Sequence, residues 1–203
     1  MNKKGQGLMI LVIIVAVGII TIMILAGMYN GLVSKDTNVQ AKWGNVQSAY
    51  QRRADLIPNL VATVQGSATF EKSTQTEIAS LRSGAEQVSK DVASATTPEQ
   101  LQATQSQMTG LIGRLNVVVE AYPQLNSVQA FRDLQVQLEG TENRIKFERD
   151  NYNTAVQSYG TAVRSFPTNM IAGMFGFSID KWKTFQADES AQKAPTVNFN
   201  MTG

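Results

Sequence analysis

The feature that most constrains this chain is a run near its start, residues 8–29, reading LMILVIIVAVGIITIMILAGMY without one charged side chain. As a helix, its 22 residues rise about 33 Å, enough to cross a hydrocarbon layer of roughly 30 Å with modest tilt. A membrane-spanning helix is the expected outcome. The rival reading is a cleaved secretory signal, because Lys3 and Lys4 form a positive flank ahead of the run. Length speaks against it: a signal core is typically about 7 to 15 residues, and no small-x-small cleavage site follows before polar sequence begins. Leu25-Ala26-Gly27 has the form of a lipoprotein box, but Met28 stands where the lipid-bearing cysteine belongs.

Beyond the span, about 170 residues remain, the size of a single domain. Cysteine and histidine are both absent, which removes disulfides, thiolate metal sites, the usual zinc ligand sets and the Ser-His and Cys-His catalytic pairs. No metal or other cofactor is expected. The net charge of +2 is already supplied by Lys3 and Lys4, so the domain itself is balanced and shows no basic stripe for nucleic acid. The amino-terminal flank has Lys3 and Lys4, and the other side has Lys35 and Lys42. The positive-inside rule leans toward a cytoplasmic amino terminus with the domain outside.

Apolar residues then recur at steps of three and four: Val39, Trp43, Val46, Tyr50, Ile57, Val61 and Val64, with one gap at Arg53 and Ala54. This periodicity predicts an amphipathic helix continuing from the span. Pro58 lies inside it without the N–H that would reach the Ala54 carbonyl, which predicts a kink, or alternatively a break. Glycine, serine and threonine between residues 66 and 73 mark a turn. A second helix follows with Ile78, Leu81, Ala85, Val88 and Val92, its start read as a capping box from Thr74 to Glu77. The third begins at Thr97-Pro98-Glu99-Gln100, a capping hydroxyl, a proline at the first helical position and a reciprocal amide. Its stripe is Leu101, Met108, Leu111, Leu115, Val118 and Tyr122, and Pro123 ends it.

A fourth helix is expected from about Asn126 or Ser127, carrying Phe131, Leu134, Leu138, Ile145, Tyr152, Val156, Tyr159, Val163 and Phe166. Thr141 and Glu148 fall in that stripe, as a satisfied polar layer or as part of a polar cleft. Short connections make these helices antiparallel neighbours. The expected fold is all-α: one amino-terminal transmembrane helix followed by an up-down-up-down four-helix bundle. The boundaries are a basic flank at 1–7, the anchor at 8–29, the bundle at 36–167, an amphipathic membrane-proximal or capping segment at 168–186, and a polar tail at 187–203.

The runs RRADLIPNLV, YPQL, FRDLQVQLEGTENRI, ERDNYN and SFP, then GF and a PTVNF tail, occur in this order along nearly the whole chain. Together they resemble the LemA family. One departure is Tyr159-Gly160, where the family usually shows Tyr-Asn. The resemblance implies a bacterial single-pass protein of the inner membrane with a helical-bundle domain and no established reaction. Relatives are often encoded near a zinc-dependent membrane metalloprotease, and one branch serves in magnetosome membranes, which implies adaptor or membrane-organising roles. The partners expected are membrane lipid, further copies of the chain and a membrane metalloprotease.

Two functional classes stand: a scaffold or interaction module, and an enzyme or small-ligand bundle. An enzyme would have to work with carboxylates, lysines or hydroxyls, and its best material is the cluster of Arg52, Arg53, Asp55, Asn59, Glu142, Arg149 and Asn153. Carboxylates set between arginines have lowered pKa values and make poor general bases at neutral pH. The structural reading is a layer in which Arg52 or Arg53 pairs with Glu142, near Asn59 and Asn153, while Pro58 sets the direction of the first helix. Phe175, Phe177 and Trp182, within the apolar and lysine-bearing stretch 170–185, are expected to form a contact zone for membrane or a second copy.

Overall fold

The apolar run and the first amphipathic stripe form one element. In the computed structural model, which describes residues 3–67 and 69–186 and the side chains among them except those of residues 3–6 and 8, α1 runs unbroken over Lys3–Ser67. At 1.5 Å per residue this helix is about 100 Å long. It passes through Pro58, so the proline does not break it. The expected tail at 187–203, with its PTVNF run, lies outside the described residues, as do the side chains of Lys3 and Lys4.

Four further helices follow: α2 Lys72–Ser94, α3 Pro98–Ala121, α4 Gln129–Arg164 and α5 Thr168–Phe175, with 3-10 turns at Pro123–Ser127 and Ile179–Lys181. The described residues are all-helical. Within α1, the amino-terminal part is long and apolar enough to cross a membrane, and none of that apolar window is covered by the rest of the protein.

Beyond that part α1 is the common partner of the other helices: α2, α3, α4 and α5 all pack on it. The register is visible in side-chain bonds. Lys35 reaches Ser158 and Arg53 meets Glu142, so α4 runs antiparallel to α1. Gln51 and Asp55 meet Ser89 while Gln47 reaches the Ala95 carbonyl, so α2 is antiparallel as well. Arg114 holds Glu77 and Ser80 between α2 and α3. Gly84 lets those two helices approach closely, since a Cβ there would lie 2.8 Å from Leu111 Cδ2.

Burial follows the stripes. Val39, Val46, Tyr50, Ile57, Val61 and Val64 of α1 are buried, and the gap between Tyr50 and Ile57 is filled by Ala54 and by the buried Arg53. The second helix buries Ile78, Leu81, Ala85, Val88 and Val92. In α3 the capping box at Thr97 and Gln100 is formed in both directions, with Pro98 in the first turn.

Three local expectations are corrected. The second helix starts at Lys72, with Glu71 as its N-cap and no side-chain cap bond, instead of at a Thr74 capping box. Tertiary contacts decide this: Phe70 packs edge-on to Tyr122 with centroids 4.8 Å apart, and the Thr74 hydroxyl lies 3.4 Å from the Tyr122 hydroxyl. The Gln75 amide closes the turn by donating to the Phe70 carbonyl at 3.0 Å. The fourth helix begins at Gln129 rather than near Ser127, because Pro123 starts a 3-10 turn that drives Leu125 into the core. Phe166 does not extend the α4 stripe. The helix ends at Arg164, ahead of Pro167, and Phe166 is exposed.

Candidate functional site

Two polar arrangements and one apolar cleft stand out along the face shared by α1, α4 and the segment after α4.

The first arrangement lies at mid-height. Arg53 of α1 is 6 % exposed and pairs through Nη1 with Glu142 of α4. Gln105 of α3 donates to both Glu142 oxygens, at 3.1 and 3.3 Å. One carboxylate thus joins three helices. Burial lowers the Arg53 pKa from its ordinary value, and Tyr50 opposes that shift; a guanidinium remains charged at any physiological pH. A carboxylate engaged in this way is an ion-pair partner rather than a base.

The polar residues in the α4 stripe have separate fates. Thr141 is buried and donates to the Leu138 carbonyl at 2.6 Å. Glu148 is 2 % exposed, with Oε1 held by Arg144 at 2.6 Å. A groove of about 620 Å³ opens beside them between α1 and α4, bordered by Asn45, Ser48, Arg52, Gln137, Gly140 and Arg144. Asp55 faces the other way, toward α2, where Ser89 donates to it at 3.1 Å, and Gln51, one turn back on α1, donates to it at 2.7 Å. Asn59 and Arg52 border a shallow surface groove on α1, and Pro58 is half-buried beside Ile57.

The second arrangement is a strap formed by residues 176–186, which turns back over α1 and α4. Gly176 reverses the chain after α5 in the left-handed conformation, with φ of 75°, a region open to glycine at little cost. The strap is then tied down by backbone bonds to α4 side chains. Tyr159 donates to the Ser178 carbonyl at 3.2 Å, and Tyr152 to that of Lys183 at 2.9 Å. Asn153 binds both backbone groups of Phe185, and Arg149 donates to the Gln186 carbonyl at 3.0 Å. From α1, Asp36 accepts from Trp182 Nε1 at 2.8 Å and from Lys181 Nζ at 2.7 Å. Phe185 inserts among Trp43, Tyr50 and Tyr152, under the Arg149 guanidinium. Burial, with Glu99 adding to it, pushes the Tyr152 pKa up to about 12.

The sequence-predicted cluster is therefore divided. Arg53 and Glu142 meet, whereas Asn153 and Arg149 stand further along α4 and serve the strap. Phe177 and Trp182 are partly buried against the core, while Phe175 is exposed. Sequence reasoning missed Asp36, Gln105, Tyr152 and Phe185 as members of these arrangements. Local signals existed for three of them: Tyr152 lies in the α4 stripe, Phe185 in the apolar stretch 170–185, and Gln105 beside Thr104, which the spacing from Leu101 to Met108 puts on the inner face.

The apolar cleft lies at the other end, between residues 22–29 of α1 and Pro167, Met170, Ile171, Met174 and Phe175, and encloses about 640 Å³. Tyr29 closes its upper edge, 4.9 Å from Phe175 and 5.8 Å from Phe177 by ring centroids.

The model of the LemA family matches residues 42–199, most of the chain and all of the helical domain after Ala41. The chain belongs to the LemA family. It is similar to magnetosome proteins MamQ 1 and MamQ 2 of Paramagnetospirillum magneticum, at 28 % identity over 199 residues, covering 87 % of this chain and 72 % of each relative. It is also similar to protein LemA of Metamycoplasma hominis, at 26 % identity over 163 residues, with 80 % of this chain and 71 % of the relative covered.

Proposed function

We propose that this LemA-family protein is a membrane-anchored, non-enzymatic scaffold that crosses a bacterial cell membrane once and self-associates there, presenting its helical domain to a membrane partner such as a metalloprotease. The observation that carries the reading is the continuity of α1 from the apolar run to Ser67. A flexible linker would let a domain tumble above its anchor. A continuous helix instead holds the domain at a set height and azimuth, reaching about 57 Å from Asn30 to Ser67. That is useful for positioning and irrelevant to most chemistry. In this reading α1 to α4 form one up-down-up-down bundle, with the amino terminus in the cytoplasm and the domain outside. The names of the MamQ relatives support a role in membrane organisation.

The test uses the full-length chain in phospholipid vesicles. It should remain in the membrane after alkaline extraction, retain residues 8–29, and yield discrete crosslinked oligomers at low protein-to-lipid ratio. A chain that is released by alkali, or stays monomeric at every ratio, overturns the anchor or the self-association respectively.

One observation favours a second reading, an anion-binding bundle: Arg52 and Arg144 border the same groove with Asn45, Ser48 and Gln137. Calorimetric titration with inorganic phosphate and citrate, repeated on Arg52→Ala, would detect it. No heat above dilution removes that reading.

A further inference from the structure

The cleft beside the span is walled on one side by the apolar run itself. Its α1 wall begins at Ile22 and ends at Tyr29, so it reaches about 10 Å along the helix axis back into the apolar run. If the run spans the bilayer, as the reading above has it, this wall stands in hydrocarbon. The opposite wall is α5, fixed there by the Tyr29 contacts to Phe175 and Phe177 and by burial of Ile171 and Ala172 against the domain. Tyrosine is favoured at the headgroup level, with its ring against chains and its hydroxyl in the polar layer. Arg164, in the last turn of α4, is not part of the lining: its guanidinium turns back along the helix and donates from Nε to the Gly160 carbonyl at 3.3 Å.

We propose that the cleft holds one acyl chain of a membrane phospholipid and that α5 lies within the leaflet instead of above it. The lining is apolar throughout save for the Tyr29 hydroxyl. Water has too few partners in such a space to fill it favourably. A lipid tail is continuous with the hydrocarbon that already surrounds the neighbouring turns of α1. The outward side chains agree, since Met170 and Met174 are 63 % and 77 % exposed to solvent in the isolated chain. Burying such side chains in hydrocarbon is favourable, because it removes apolar surface from water. Methionine also adapts its shape to a chain that has no fixed conformation. Phe177, Trp182 and Phe185 are packed on the domain, so in the segment after α4 the most exposed apolar side chains are Phe166 and those of α5, Met170, Met174 and Phe175.

The inference rests on the membrane-crossing reading but not on self-association, and the experiment separates the two. The full-length chain is placed one copy per nanodisc of phosphatidylcholine and phosphatidylglycerol, then released into mild detergent for native mass spectrometry. Wild type should carry one retained phospholipid. Ala26→Trp, which fills the cleft from the span side, should lose most of that bound fraction while circular dichroism is unchanged. Because the chain has no cysteine, Met174→Cys accepts a single environment-sensitive fluorophore. Its emission should be blue-shifted and quenched more by acyl-chain spin labels than by headgroup labels. No retained lipid, equal retention in Ala26→Trp, or a water-like fluorophore overturns the proposal. So does ready disulfide formation between Met174→Cys copies in dilute vesicles, which would assign the cleft to a second chain. Release by alkali would instead remove the membrane-crossing reading itself.

Discussion

The side chain of Asn153 binds Phe185 at both backbone groups: Nδ2 donates to the carbonyl at 3.0 Å, and Oδ1 accepts from the amide at 2.9 Å. The strap has no strand or helix partner at this point, so a single amide supplies the complement that secondary structure would otherwise give. That fixes the one residue whose ring enters the aromatic cluster of Trp43, Tyr50 and Tyr152. Backbone clasp and ring burial reinforce each other.

Asn153→Ala should therefore loosen the strap before it loosens the helices. Two partly buried backbone groups lose their partner, at a cost of roughly 2 to 4 kcal/mol. Hydrogen exchange should rise over residues 178–186, while α2 and α3 keep their protection. Unchanged exchange across the strap would show that the clasp contributes nothing.

The Arg53–Glu142 pair is asymmetric, since the Arg53 side chain is 8 % exposed and that of Glu142 is 54 % exposed. Removing the carboxylate strands a buried guanidinium, but solvent at the Glu142 side moderates the loss, so Glu142→Ala should cost about 1 to 3 kcal/mol. Arg53→Met with Glu142→Ala should recover part of this. A double-mutant cycle by urea unfolding should give a coupling of about 1 kcal/mol. Zero coupling would mean that the pair is incidental.

Alkaline pH should destabilise the strap through Tyr152. Its folded pKa is raised to about 12 from the ordinary 10.0, chiefly by burial, so the folded state keeps the phenol proton more tightly than the unfolded chain does. The resulting stability is complete below about pH 10 and is lost as pH rises toward about 12. Tyr152→Phe should be less stable at pH 8, because it lacks the bond to the Lys183 carbonyl, yet show a smaller further loss between pH 10 and 12. Parallel pH curves for both chains would contradict this account.

Pro58→Ala restores an amide donor to the Ala54 carbonyl within a helix that is already continuous. A helix interior favours alanine over proline by about 3 kcal/mol, so the thermal midpoint should rise. If oligomer size in vesicles stays the same, Pro58 has no part in organising the assembly. A changed size would give it one.

Thr97→Ala should lower stability by about 1 kcal/mol, the usual value of a capping hydroxyl. Both halves of its capping box are formed. Loss should appear in the equilibrium midpoint without a change in the urea slope. A neutral effect would mean that Gln100 alone satisfies that helix end.

Much of this architecture is decided by short-range sequence. The apolar window of α1, the threes-and-fours stripes of α2 and α3 and the box at Thr97 depend on residues within a few turns of one another, and helix periodicity makes such patterns legible. Other features join residues far apart along the chain: Arg53 with Glu142, Asp36 with Trp182, Asn153 with Phe185. Their partners depend on the register between α1 and α4 and on the reversal at Gly176, which no local spacing encodes. The same holds for α2, whose start moved to Lys72 because the Thr74 hydroxyl lies against Tyr122. Phe175, Phe177 and Trp182 are all aromatic residues of one short stretch, yet only tertiary packing separates the exposed Phe175 from the partly buried Phe177 and Trp182, because solvent exposure depends on the neighbours each side chain meets in three dimensions.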